Sequence, residues 1–119
     1  MSTVQSDPDC LFCKIVAGDV PATIVHESEH SIAFRDITPQ APTHVLVIPR
    51  RHVPDVAALT AAAPDELVDL MRLIPVVADS EGLDAGYRTV ANTGAAANQL
   101  VFHAHVHVLG GRSMEWPPG

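Results

Sequence analysis

Three of the chain's seven histidines, His103, His105 and His107, fall on alternate positions in the stretch VFHAHVHVLGG near its C-terminal end. On an extended strand alternate side chains share a face. The three imidazoles therefore line one side, and Ala104, Val106 and Val108 form an apolar side that packs inward. At about 3.3 Å of rise per residue, His103 and His107 stand about 13 Å apart. A zinc–nitrogen bond is only about 2.0 Å long, so histidines two positions apart can share an ion but the first and third cannot. The triplet is not a single three-histidine metal site. A cluster of imidazoles on one face suits neutral-imidazole chemistry or metal ligation by part of the set. An imidazole that donates one N–H to a backbone carbonyl has a fixed tautomer, and its other nitrogen is a bare lone pair able to attack phosphorus or carbon. A neighbouring histidine supplies a proton donor.

Two further groups bear on such chemistry. Asn92 can add a donor, and the loop NTGAAANQ, residues 92–99, can turn backbone amides toward a phosphate. Cys10 and Cys13 have the spacing of half a zinc site. A thioredoxin-like redox pair has the same spacing, but the strand-then-helix context of that motif is missing here. His26 and His30, in VHESEH, read as surface residues.

The elements that must position these groups form one small domain of 119 residues. Residues 1–9 read as a flexible N-terminal tail, and residues 10–119 as the domain. A short helical turn opens it at CLFCKIVAGD. SIAFRDI reads as a strand, PQAPTH as a proline-bounded loop, and HVLVIP, residues 44–49, as a buried strand. A helix is predicted over 65–81, with Pro64 at its start, Asp65 and Glu66 in its first turn, and Gly82 at its end. Leu67, Leu70, Met71, Ile74, Val77 and Ala78 recur on one face. Pro75 removes a backbone donor and predicts a kink. GYRTVANT and VFHAHVHVL complete an order β-β-β-α-β-β, which implies an antiparallel α+β domain.

The chain is 47% hydrophobic but only 4% aromatic, so its core is aliphatic. A domain of this size gains from a metal or a partner subunit. A formal charge of −7 argues against wrapping nucleic acid or binding an anionic membrane surface, though not against one mononucleotide. No apolar run approaches the ~18 residues of a membrane span. The polar start MSTVQSDPDC does not read as a signal peptide. A cytoplasmic protein with reduced cysteines is the expectation.

The stretches CLFCKIVAGDVPA, FRDITPQAPTHVLVIPRRH, VANTG, HAHVHVLGGR and WPPG together resemble the Hint branch of the histidine triad (HIT) family, purine nucleoside phosphoramidases, over nearly the whole chain. The resemblance implies an antiparallel five-stranded sheet with one long and one short helix, and sheets joined across a homodimer. It implies hydrolysis of the P–N bond of an AMP or GMP phosphoramidate through a nucleotidyl-histidine intermediate. His105 would be the nucleophile. His107 would touch the phosphate, positioned by His44. Asn92 and the amides around Asn98 and Gln99 would hold the phosphate. Phe12, Ile15, Phe34 and Ile37 would flank the base, and Asp36 would take the ribose hydroxyls. The tail, with Trp116, would reach toward the partner's site. Cys10, Cys13, His52 and His103 would hold a structural zinc ion.

Two features depart from the family pattern. Leu100 stands where a serine donor is usual, and Ala95–Ala97 precede Asn98 where glycines are common. Leucine cannot donate a hydrogen bond. Two other functions therefore stay in view: a dinucleoside polyphosphate hydrolase, and a nucleotide-binding interaction protein with weak catalysis.

Overall fold

The structure, a computed structural model, describes residues 5–119. The first four residues of the expected tail lie outside them. Of the remainder, Gln5 accepts the His52 backbone N–H at 2.8 Å and the Asp7 N–H meets Cys13 Sγ at 3.4 Å.

Five antiparallel strands form one sheet: β1 Ile24–Glu27, β2 Ser31–Arg35, β3 Thr43–Pro49, β4 Tyr87–Val90 and β5 Val106–Gly110. Their spatial order is β1-β2-β3-β5-β4, so the last strand in sequence is inserted beside β3. Register decides which residues share a face. Val45 pairs with Val108 and Val47 with Val106, and Ala33 opposes Val47. These five pack with Leu70, Leu73, Ile74 and Val77 of the long helix in the main core. On the opposite face, Ile32, Phe34, Leu46 and Ile48 pack with Phe12 and Ile15 of α1, Leu11–Ala17. Leu46 opposes His107, so His107, and His44 two residues before Leu46, lie on this second face.

Beyond the one long and one short helix expected, the chain forms another short one, α2, Val56–Ala62, capped by Asp55, whose Oδ1 accepts the Ala58 N–H at 2.8 Å. The long helix, α3, spans Pro64–Ser80 and runs on through Pro75. That proline is exposed, so the carbonyl it leaves without a donor can face water. The predicted apolar face holds at Leu70, Ile74, Val77 and Ala78, but Met71 is 48% exposed and Leu73 takes its place. Among the described residues no helix is long and apolar enough to cross a membrane.

The predicted strand over 101–109 is the main correction. Regular pairing begins only at Val106. The apolar alternation survives, since Ala104, Val106 and Val108 are buried. Before Val106 the backbone leaves the ladder, because the Ala104 N–H is taken by the Val53 carbonyl at 2.8 Å, outside the sheet.

Candidate active site and metal centre

The departure from the strand separates the histidines. His103 is fully buried, and its Nε2 lies 2.8 Å from the Pro49 carbonyl. A carbonyl only accepts, so Nε2 carries the proton and Nδ1 is a lone pair. That lone pair sits 3.5 Å from both Cys10 Sγ and Cys13 Sγ, and 3.3 Å from His52 Nδ1; Cys13 Sγ is 3.4 Å from His52 Nδ1. Zinc bonds of about 2.3 Å to sulfur and 2.0–2.1 Å to nitrogen require tetrahedral edges of about 3.5 Å between S and N and about 3.3 Å between two nitrogens. The four donors therefore fit a closed S2N2 site. Both sulfurs also accept a backbone N–H, from Cys13 and Asp7. Burial pushes the Cys10 thiol up and pushes His103 down to about 4, so His103 is a neutral ligand at physiological pH.

Two residues on, the His105 side chain turns back on its own backbone. Its Nδ1 lies 2.7 Å from the His103 carbonyl. By the same reasoning Nδ1 carries the proton and Nε2 is the bare lone pair. The Phe12 ring stands edge-on to this imidazole, centroids 5.3 Å apart and planes at 89°, and edge-on to Phe34 at 5.5 Å. Phe12 thus walls the His105 ring, and both side chains are buried.

His107 is oriented by a different chain of bonds. The Gln40 backbone N–H donates to His44 Nδ1 at 3.0 Å. His44 Nδ1 is therefore an acceptor, and in the neutral ring Nε2 carries the proton. That Nε2 lies 2.9 Å from His107 Nδ1, so His107 accepts there and presents an N–H at Nε2. Burial lowers His44, against the nearby Asp36 carboxylate, 3.5 Å from its Nε2. Burial, helped by His105 and His44, pushes His107 to about 4. The His105 and His107 rings stand 5.0 Å apart. A lone pair and an N–H donor are thus placed side by side, the pair needed to attack a phosphoryl centre and steady the charge that forms on it.

The loop after β4 contains a short 3-10 turn, Ala95–Ala97, with Asn98 in the left-handed region at φ 66°. Gln99 closes it. Its Oε1 accepts the Gly94 N–H at 2.8 Å, and its Nε2 donates to the carbonyls of Pro54 at 2.6 Å and Val101 at 3.0 Å. The backbone amides of Asn98 and Gln99 bond to Ala95 and Gly94 carbonyls at 2.9 and 3.1 Å. These two amides, expected to face a phosphate, are engaged within the loop. Gln99 shapes the loop rather than presenting its side chain. Asn92, half-buried, follows β4 at the start of this loop.

The remaining expected binding residues are scattered in exposure. Phe12, Ile15 and Phe34 are buried in the second core, whereas Ile37 is 97% and Trp116 81% exposed. The Asp36 carboxylate accepts the Thr38 N–H at 2.7 Å and faces His44. Leu100 projects from the loop, 79% exposed. A cavity of about 590 Å³ opens elsewhere, lined by Tyr87, Arg88, Arg112 and Met114 but by none of the histidines. The backbone groups of Gln40, Pro49 and Val53 complete the site. Sequence reading missed them because a main-chain donor or carbonyl carries no residue-type signal.

Residues 17–114 match the family model for the HIT domain. The chain belongs to the HIT family. The 14 kDa zinc-binding protein of Zea mays is 47% identical over 117 residues, covering 95% of this chain and 90% of that protein. The adenylylsulfatase HINT1 of Arabidopsis thaliana is 42% identical over 123 residues, covering all of this chain and 82% of that one. A solved HIT family hydrolase from Legionella pneumophila superposes with a TM-score of 0.88 at 46% identity, covering 93% of this chain and 100% of its own. These relatives agree with the Hint branch of the HIT family and with its five-stranded fold.

Proposed function

We propose that this HIT protein hydrolyses the P–N bond of purine nucleoside 5′-phosphoramidates, releasing AMP or GMP. The observation that carries this reading is the pair of complementary tautomers, the bare Nε2 of His105 beside the N–H of His107. His105 Nε2 attacks phosphorus and the P–N bond breaks. The developing charge on the phosphoryl oxygens is met by the His107 N–H, and the departing amine takes up a proton from solvent. Water then attacks the nucleotidyl-histidine and gives up a proton to solvent, the P–Nε2 bond breaks, and His105 returns as a neutral imidazole. One relative named an adenylylsulfatase and two solved neighbours named HIT family hydrolases support the general class.

Cys10, Cys13, His52 and His103 would hold a zinc ion that closes all four coordination positions with protein donors, a structural arrangement. The donor spacing and a relative named as zinc-binding support this. Asn92 and the loop shaped by Gln99 border the phosphate, and Asp36 and Ile37 lie on the side where a nucleoside would rest. The partner is a second copy of the chain, joined at the open edge of β4, which pairs only with β5. Leu70 and Ile74 are buried against their own sheet and are not free for that interface. The tail with Trp116 would then act across the dimer.

Incubating the protein with adenosine 5′-phosphoramidate tests the reaction. Hydrolysis, with an intact-mass gain of one adenylyl group lost in His105→Ala, is the expected result. A His105→Ala protein that still turns over at the wild-type rate overturns it. The second reading, a nucleotide-binding protein with weak catalysis, is favoured by Leu100 alone, and tight AMP binding without turnover would identify it.

A further inference from the structure

The metal cluster and the nucleophile meet in a single peptide unit. The peptide joining His103 to Ala104 offers its carbonyl to His105 Nδ1 at 2.7 Å and its N–H to the Val53 carbonyl at 2.8 Å. Each side of that second bond is followed or preceded by a cluster histidine: His52 adjoins Val53, and His103 adjoins Ala104. The His52 and His103 Nδ1 atoms lie 3.3 Å apart, both turned on the same point as Cys10 and Cys13 Sγ. A cation held at that point by both nitrogens would tie together the two segments that carry them.

We infer that the Cys10, Cys13, His52, His103 cluster, when filled, positions the nucleophile by stapling residues 52–53 to residues 103–104. A peptide plane held at both ends keeps its carbonyl aimed at His105 Nδ1. That bond selects the tautomer with the lone pair at Nε2 and fixes the ring against Phe12. His103 is thus a positioning residue for the reaction proposed above, acting through its main chain while its side chain serves the cluster. Part of this frame is independent of the cluster: Pro49 holds His103 Nε2 and Phe12 packs on His105. The nucleophile should therefore lose order rather than be lost.

The test compares the zinc-replete full chain, the chelator-treated chain and the chain given zinc again, together with His52→Ala. This variant removes one of the four donors and leaves residues 103–105 unchanged in sequence. Imidazole nitrogen NMR reads the His105 tautomer directly, and AMP affinity and steady-state kinetics accompany it. Zinc removal should shift and broaden the His105 Nδ1–H signal toward a mixture of tautomers. It should lower kcat about tenfold, as is typical when a group orienting an active residue is disturbed, while KM and AMP affinity move less than about twofold. Zinc should restore the wild-type chain. A metal-free protein with an unchanged Nδ1–H signal and unchanged kcat overturns the inference, even if it hydrolyses the substrate well. A replete protein that hydrolyses nothing overturns the proposed function instead, and the Nδ1–H signal still decides the coupling.

Discussion

His44 and His107 share one hydrogen bond across neighbouring strands, Nε2 to Nδ1 at 2.9 Å, and its direction is dictated by the Gln40 N–H on the far side of the His44 ring. Replacing His44 by Phe keeps an aromatic ring but removes that donor. His107 then loses the partner that holds its proton on Nε2. The expected result is a drop in kcat of about 10- to 100-fold with KM little changed, measured on adenosine 5′-phosphoramidate. A matching rise in KM would assign His44 to substrate binding instead.

His107 also predicts an acid-labile stability. Its folded value, about 4, lies below the ordinary 6.5 because burial and two neighbouring imidazoles disfavour the charge. Above pH 6.5 both folded and unfolded chains hold it neutral and its contribution is complete. As pH falls from about 6.5 to about 4, the unfolded chain takes up the proton and the folded chain resists, so stability falls across that window and levels below it. Urea unfolding at pH 7.5, 6 and 5 should show a shallower loss in His107→Gln than in wild type.

One zinc ion per chain is expected on metal analysis of protein purified without added zinc. Its removal should lower the melting temperature by about 10 °C or more, since every ~1 kcal/mol is worth several degrees in a domain this small. Cys13→Ser should reproduce the shift, because Cys13 Sγ lies within 3.5 Å of both cluster histidines.

Gln99 ties the loop after β4 through three hydrogen bonds and is 3% exposed. Gln99→Leu leaves the Gly94 N–H and the Pro54 and Val101 carbonyls without their side-chain partner, at part-buried positions. A stability loss of about 2–3 kcal/mol is expected, with a raised KM for the nucleotide as the loop loosens. Urea midpoints and initial rates measure the two effects separately.

Leu100 stands largely in solvent, so Leu100→Ser should change stability by no more than about 0.5 kcal/mol. If protonation of the leaving group limits turnover, the new hydroxyl should accelerate substrates with basic amine leaving groups by about tenfold, the worth of one hydrogen bond to a charged group. An unchanged rate would mean that His107 or Asn92 already donates.

Histidine spacing and apolar alternation made the reactive segment legible, and Ala104, Val106 and Val108 pack as that alternation requires. The strand's starting point was not legible. It depends on the Val53 carbonyl, 51 positions upstream of Ala104, capturing an N–H that the ladder would otherwise use. The same limit hid the tautomers, which three main-chain groups set. Helix α2 did carry a local signal, an Asp cap before an alanine-rich run, that periodicity alone passes over. The outward turn of Met71 follows from how α3 lies on the sheet, a property of two elements together and not of the helix pattern.

The strand order has a consequence for how the molecule comes into being. β5 is the last strand on the chain yet lies between β3 and β4. A nascent chain that has passed the ribosome as far as β4 holds a three-stranded meander and one strand with no neighbour. Only the arrival of residues 103–110 closes the gap, and the same residues bring His105, His107 and the last donor of the Cys10, Cys13, His52, His103 cluster. Synthesis therefore completes the sheet and the histidine cluster in one late event: a polypeptide stalled or cut before His103 has neither a continuous sheet nor the His105 and His107 pair.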